Sequence, residues 1–301
     1  MSEDGFTGTF RTRHLAIVGL GLMGGSLALA LRPHIETIVA CDPNPASREY
    51  ALANGIVDEA TDDLREAVSD AETVVMAAPV RTIIQIITNR IGAYLRSNTL
   101  LIDMGSTKQD ICTAMGHLPV GIHAIGGHPM AGKERSGIAA ADADLYRDRP
   151  FVLCPTRRTT PATRLRALSF VEALGAVPIE MDALRHDRIV ATISHLPYLL
   201  SVTLVATAAH EAEQDDAVWR LAASGFRDMS RLAGSDVQMI GDILSTNTQA
   251  VATLLAEFRM QLAMLETLLI SRDEQKLVDA LTPIREKRLQ WAEEYEQKRT
   301  T

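Results

Sequence analysis

The segment "HLAIVGLGLMGGS", beginning at His14, constrains this chain more than any other. It reads as a short apolar strand, a glycine-rich turn and the start of a helix, with Gly19, Gly21 and Gly24 in G-x-G-x-x-G spacing. The first glycine permits a tight turn, the second lets backbone approach a pyrophosphate, and the third lets helix pack on strand. The helix N-terminus then offers N–H groups to the phosphates. Leu22 and Met23 stand in the same turn and join the glycines as cofactor-binding candidates. Asp42 ends the next apolar run, eighteen residues past Gly24, where an acid accepts from both ribose hydroxyls. Such an acid repels a 2′-phosphate, which favours NAD. Arg48 nearby keeps NADP open, and a turn or helix-capping role is the alternative for Asp42.

Further runs repeat the first one's texture. "TIVACD", "TVVMAAP", "TLLIDMG", "FVLCP" and "AVPIEMD" are short, rich in branched side chains and bounded by Gly, Pro or Asp. Continuous apolar runs of this kind suit strands covered on both faces. Helical patterns such as "GSLALALRPH" and "PATRLRALSFVEALG" lie between several of them. The alternation predicts a Rossmann-type, doubly wound, mainly parallel sheet over residues 14–183, preceded by a flexible segment, 1–13. Pro79, at the end of "TVVMAAP", is a further candidate contact for the cofactor.

After residue 183 the strand signals stop. Residues 185–212, 246–271 and 273–298 read as helices, which predicts an all-α domain over 184–301. Its apolar helices exceed what so short a domain can bury alone, so a homodimer interface is expected there. Residues 14–31 and 189–209 both lack formal charge. The glycines of the first argue against a signal peptide. The second holds His195, Pro197, Tyr198, two serines and three threonines, which argues for a helix buried in protein rather than in lipid.

Thirty basic against thirty-eight acidic residues, a net charge of -8, exclude a broad nucleic-acid footprint. Cys41, Cys112 and Cys154 are scattered and odd in number, which supports neither structural zinc nor a disulfide framework and suits a reducing cytoplasm. No metal site is expected.

Polar groups gather where local structure hardly needs them. "LIDMGSTKQD" places Ser106, Thr107 and Lys108 after a buried strand, at the carboxyl end where open α/β sheets bind ligands. Capping of the next helix is the alternative for Ser106 or Thr107. "IGGHPMAGKERSG", residues 125–137, sets His128 between paired glycines and a proline and reads as neither helix nor strand. "RHDRIVATISHLPY" brings His186, Asp187, His195 and Tyr198 onto one helix, where Pro197 frees the carbonyl of Ile193 and predicts a kink beside His195. "SGFRDMSRLAGSD" crowds Arg227, Asp228, Arg231 and Asp236 together.

With "GLGLMGGS", "GSTK", "GGHPMAG", "HDRIVATISHLP" and "GFRDMSRLAGSD" in this order, the chain resembles the prephenate and arogenate dehydrogenases from about residue 14 to 245. The resemblance implies NAD-dependent oxidative decarboxylation of a small 1-carboxy-4-hydroxycyclohexadiene, prephenate or arogenate, in tyrosine biosynthesis. It implies that His128 accepts the 4-hydroxyl proton, that Ser106 orients histidine and hydroxyl, and that Arg231 binds a substrate carboxylate. His186 and His195 then line the pocket. Tyr198 stands where many relatives carry a second histidine, in "HLPH", and Lys133 replaces the usual Thr of "HPMAGTE". Both departures bear on which substrate is taken. The competing readings are another dehydrogenase, of the β-hydroxyacid type, and a non-catalytic NAD-sensing protein.

Overall fold

A computed structural model of the chain describes residues 10–300, and side chains as far as 297. Eight strands form one sheet: β1 (Thr12–Val18), β2 (Ile35–Cys41), β3 (Glu59–Thr61), β4 (Thr73–Met76), β5 (Leu100–Asp103), β6 (His123–Pro129), β7 (Pro150–Pro155) and β8 (Val177–Glu180). Helices α1 (Leu22–Leu31), α2 (Pro45–Ala53), α3 (Leu64–Val68), α4 (Val80–Asn89), α5 (Gln109–Gly116) and α6 (Pro161–Ala173) connect them. Their order in the sheet is β3-β2-β1-β4-β5-β6-β7-β8, and every neighbouring pair is parallel except β6 with β7. The strand order reverses between β1 and β4, which opens a crevice at their carboxyl ends. Leu15 and Ile17 of β1 point into one buried layer and Ala16 and Val18 into the other, as a strand covered on both faces requires.

The helical part comprises α7 (Ala183–Val190), α8 (Leu196–Ala212), α9 (Ala217–Leu221), α10 (Ser224–Ser230), α11 (Val237–Thr246), α12 (Thr248–Ser271) and α13 (Glu274–Thr300). A π-helical turn, Ala191–His195, joins α7 to α8. Pro197 has no N–H for the carbonyl of Ile193, and the helix accommodates this by widening one turn rather than breaking.

Several expectations need correction. Of the segment taken as flexible, residues 1–9 lie outside the described residues. Residues 10–13 are built into the fold: Phe10 packs edge-on against Phe170, and β1 starts at Thr12. Strands β3 and β6 went unread, and β6 runs through the stretch read as irregular. Gly126, Gly127 and His128 pair antiparallel with Cys154, Leu153 and Val152. The apolar helix expected to be buried is largely uncovered within one chain, since Ser201 is the one buried residue of α8. By length and composition alone, Ala183–Ala212 is long and apolar enough to cross a membrane.

By compactness the chain forms two units, divided between Val251 and Ala252. The helices from 183 to 251 therefore belong to the unit that holds the sheet. The second unit consists of most of α12 and all of α13, and its exposed side chains include Leu262, Met264, Leu269, Ile284 and Leu289.

Candidate active site

At the first βα turn, Gly19 has a φ of 108°, a conformation that suits glycine, and its N–H donates to the carbonyl of Cys41 at 2.8 Å. A Cβ on Gly24 would run into the carbonyl oxygen of Gly19, so helix and strand meet there without room for a side chain. The space beside Gly21, by contrast, is open. Gly21 is the N-cap of α1, with no side-chain cap and no acid in the first turn. Leu22 and Met23 form that turn, and the buried Tyr146 hydroxyl holds it by donating to the Met23 carbonyl at 2.6 Å. An uncapped helix start with clear space in front of it fits a dinucleotide pyrophosphate.

Asp42 follows β2. Its carboxylate accepts from the N–H of Leu20 at 2.6 Å and of Asn44 at 2.8 Å, so it is tied directly to the glycine turn. Arg48 is engaged elsewhere, donating to the Asp42 carbonyl at 2.7 Å and pairing with Asp62 at 3.3 Å. Pro79 precedes α4, at the end of the neighbouring strand β4.

The catalytic candidates converge farther along the sheet. His128 leaves β6 half-buried, and its Nδ1 lies 2.8 Å from Nε2 of His186 on α7. The Nδ1 of His186 lies 2.7 Å from Oδ1 of Asp187, and both residues are buried. Asp187 also accepts from the backbone N–H of Lys108 at 2.7 Å and of Gln109 at 2.9 Å, which fastens α7 to the start of α5. A carboxylate only accepts, so His186 donates from Nδ1, and whenever its Nε2 carries no proton that nitrogen accepts. His128 must then donate from Nδ1, which leaves its Nε2 as a bare acceptor. The Asp187–His186–His128 series thus sets the orientation of a base.

Burial is the main force lowering the His128 pKa well below the ordinary histidine value, and positive charge on His186, Lys108 or His195 acts the same way. Its acceptor form therefore dominates at neutral pH. His195 closes the π turn and is buried beside Asn247, whose Nδ2 lies 3.3 Å from the His195 Nδ1 and donates to the Asp187 carbonyl at 2.7 Å. An amide nitrogen donates, so His195 accepts at Nδ1 and carries its proton on Nε2. Burial pushes its pKa down to about 4. The two histidines thus offer opposite polarities, His128 an acceptor and His195 a donor.

Ser106 occupies the half-buried bend between β5 and α5. Thr107 shares a 2.8 Å hydrogen bond with Thr246 of α11. Arg231 is exposed and lies 3.4 Å from Glu134, on the segment that follows His128. Lys133 is exposed too and pairs with Asp142 at 2.8 Å, while Tyr198 is half-buried on α8. Arg227 pairs with Asp228, and Asp236 caps α11 through Met239 N. Among the described residues, no group of three or more His, Cys, Asp or Glu could hold a metal ion.

Sequence reasoning passed over Asp103 and Asn247 and gave no role to Lys108. Asp103 carried a usable signal, being an acid at the carboxyl end of a buried strand. Asn247, in a break between two helices, carried none.

Fold and site together fit a dinucleotide-dependent dehydrogenase whose pocket holds a hydrogen-bonded pair of histidines. Residues 27–180 match the family model described as prephenate dehydrogenase, nucleotide-binding domain, and residues 182–283 match prephenate dehydrogenase, dimerization domain. The chain belongs to the prephenate dehydrogenase family. It is 31% identical over 271 residues to the cyclohexadienyl dehydrogenase of Zymomonas mobilis, covering 89% of this chain and 92% of that protein. Prephenate dehydrogenase from A. aeolicus, solved in complex with hydroxyphenyl propionate and NAD+, superposes with a TM-score of 0.85 at 30% identity over 92% of this chain and 98% of that one. For Synechocystis arogenate dehydrogenase the TM-score is 0.80 at 30% identity, over 92% and 99%.

Proposed function

We propose that this chain catalyses the NAD-dependent oxidative decarboxylation of prephenate, arogenate or both, in tyrosine biosynthesis. The observation that carries the reading is the Asp187–His186–His128 series, which presents a bare imidazole nitrogen at the carboxyl ends of the strands. The glycine turn, the α1 N-terminus and Asp42 would hold the cofactor, with Leu22, Met23 and Pro79 at its edges. NAD+ supplies the hydride acceptor for C4 of the ring. His128 Nε2 takes the proton of the C4 hydroxyl, help that typically contributes about 10²- to 10⁴-fold. As the C4–H electrons leave, the ring carboxylate departs as carbon dioxide and the ring becomes aromatic. Ser106, in the bend after β5, orients the hydroxyl, and the His195 N–H donates into the pocket. Arg231 binds a carboxylate at the rim, where Tyr198 and Lys133 bear on the choice of substrate.

A β-hydroxyacid-type dehydrogenase would normally rely on a lysine in the helical domain, and residues 183–212 contain none. A purely NAD-sensing protein would not need a base held in one tautomer.

Three further features complete the reading: a homodimer, a domain boundary near residue 184 and a cytoplasmic location. Exposed apolar side chains on α8, α12 and α13 support the homodimer. The change from strand-bearing to helical chain supports the boundary. His186, Asp187 and His195 tie the long apolar helix into a polar network, and the three cysteines are free and buried, which suits a reducing cytoplasm. Purified protein assayed with prephenate and arogenate, each with NAD+ and NADP+, tests the activity. Reduction of neither cofactor with either substrate overturns it. A light-scattering mass equal to one chain overturns the homodimer.

A further inference from the structure

We propose that the buried Asp103–Lys108 pair is a positioning device for His128, one that holds both ends of the Asp187–His186–His128 series at a fixed separation. The proposal rests on His128 being the base.

It starts from where two strands part. The β5–β6 ladder ends at the pair Ile102 and Ile125, and β6 continues alongside β7 only. Gly127, directly before His128, faces the end of β5 with no ladder partner on that side. Two side chains take the place of the missing strand. Asp103 Oδ1 accepts from the Gly127 N–H at 3.0 Å, and Lys108 Nζ donates to the Gly127 carbonyl at 2.6 Å. Lys108 Nζ is also hydrogen-bonded and ion-paired to Asp103 Oδ2, which accepts in addition from Gly105 N at 2.8 Å. Both polar groups of Gly127 are thus clamped by one ion pair.

Lys108 acts at the other end of the series as well, because its backbone N–H donates to Asp187 Oδ1. One residue therefore grips the backbone next to His128 with its ammonium and grips the carboxylate behind His186 with its amide. Relative movement of β6 and α7, which would open the 2.8 Å contact between the histidines, has to break one of these bonds.

Stability alone is a poor reason for such a pair. Lys108 and Asp103 are fully buried, and desolvating two charges costs several kcal/mol that their attraction roughly repays. Apolar side chains of similar volume often do as well. What they could not do is accept from the N–H and donate to the carbonyl of the same residue.

The test uses the full chain with Lys108→Met and with the double variant Asp103→Asn/Lys108→Met, which leaves no unpaired charge. Measured are kcat, KM for substrate, the NAD+ dissociation constant and the pH dependence of kcat/KM. The charged or titratable groups facing His128 are His186, His195 and Lys108, with Asp187 behind His186 and Asp103 beside Lys108. The expected result is kcat about tenfold to a hundredfold lower, with substrate KM and NAD+ affinity within about threefold of wild type. In Lys108→Met, where the cation is lost and Asp103 stays charged, the acid limb of kcat/KM should also move to higher pH. A merely structural pair would lower the melting temperature and leave kcat where it was. That outcome in the folded double variant overturns the proposal. Should Lys108→Met fail to fold, the double variant decides alone. A wild-type chain inactive with both substrates overturns the reading of the site itself. An active wild type matched by the double variant overturns only the positioning role.

Discussion

His128 Nδ1 lies 2.8 Å from His186 Nε2, and the direction of that hydrogen bond is decided one residue beyond it, at Asp187. The carboxylate makes His186 a donor on one side and an acceptor on the other. It therefore controls, through a ring, which nitrogen of His128 is free.

Replacing the base is the first consequence. His128→Asn should lower kcat by about 10²- to 10⁴-fold, with NAD+ binding little changed. In the wild type, kcat/KM should hold steady as pH falls through the ordinary histidine range and drop only below it, because burial keeps His128 neutral there. Retained turnover in the variant, or an acid limb near 6.5, would count against this assignment.

Asp187→Asn changes almost no volume but removes an acceptor where the donors of His186, Lys108 and Gln109 converge. Either a backbone N–H goes unmet, or the amide donates to His186 and reverses both tautomers, which places a proton on the nitrogen meant to accept one. Turnover should fall at least about tenfold, more than the affinity for NAD+. Steady-state kinetics beside NAD+ titration would separate the two.

Arg231 is exposed and is proposed to bind a substrate carboxylate, so Arg231→Ala should act mainly on binding. Substrate KM should rise about tenfold with a smaller change in kcat, the pattern of an interaction present in ground and transition states alike. An unchanged KM would remove its carboxylate-binding role.

On the proposed reading the Asp42 carboxylate accepts from ribose hydroxyls and repels a 2′-phosphate, so Asp42→Ala should weaken NAD+ far more than NADP+. Arg48 is held by the Asp42 carbonyl and by Asp62, so it is not poised to take that phosphate. Titrating the variant with both cofactors checks this. Equal weakening would detach Asp42 from cofactor choice.

Acid should loosen the fold through His195. Buried, its pKa is about 4, whereas in the unfolded chain it is about 6.5, so between these values the unfolded state binds the extra proton. This share of stability is fully present above about pH 6.5 and is lost as pH falls toward 4, to the extent of about 3 kcal/mol. Denaturant melts across that window should show the decline, and His195→Gln should flatten it. A variant as acid-sensitive as the wild type would assign the loss to other groups.

The glycine spacing and the apolar runs were enough to place the first strand, the turn and the sheet class, because those signals are local. Strand β6 was not legible. Its Gly-Gly-His-Pro composition imitates a turn, and only pairing with β7, more than twenty residues away, makes it extended. The paired glycines answer to the protein's own atoms: a Cβ on Gly126 would stand 2.6 Å from Cys112 Sγ, and one on Gly127 would strike the Asp103 carbonyl. The ties that build the histidine cluster were not legible for a related reason. Asp187 and Asn247 bind residues far away in sequence, and no change of composition announces such ties.

The crowding at Gly127 also sets where this enzyme can be altered. The two residues before His128 have no room for even a methyl group, so selection for a new substrate will find Gly126 and Gly127 closed to variation. Tyr198 is half-buried and Lys133 exposed, so diversity can be introduced there while His128 stays where the sheet has put it.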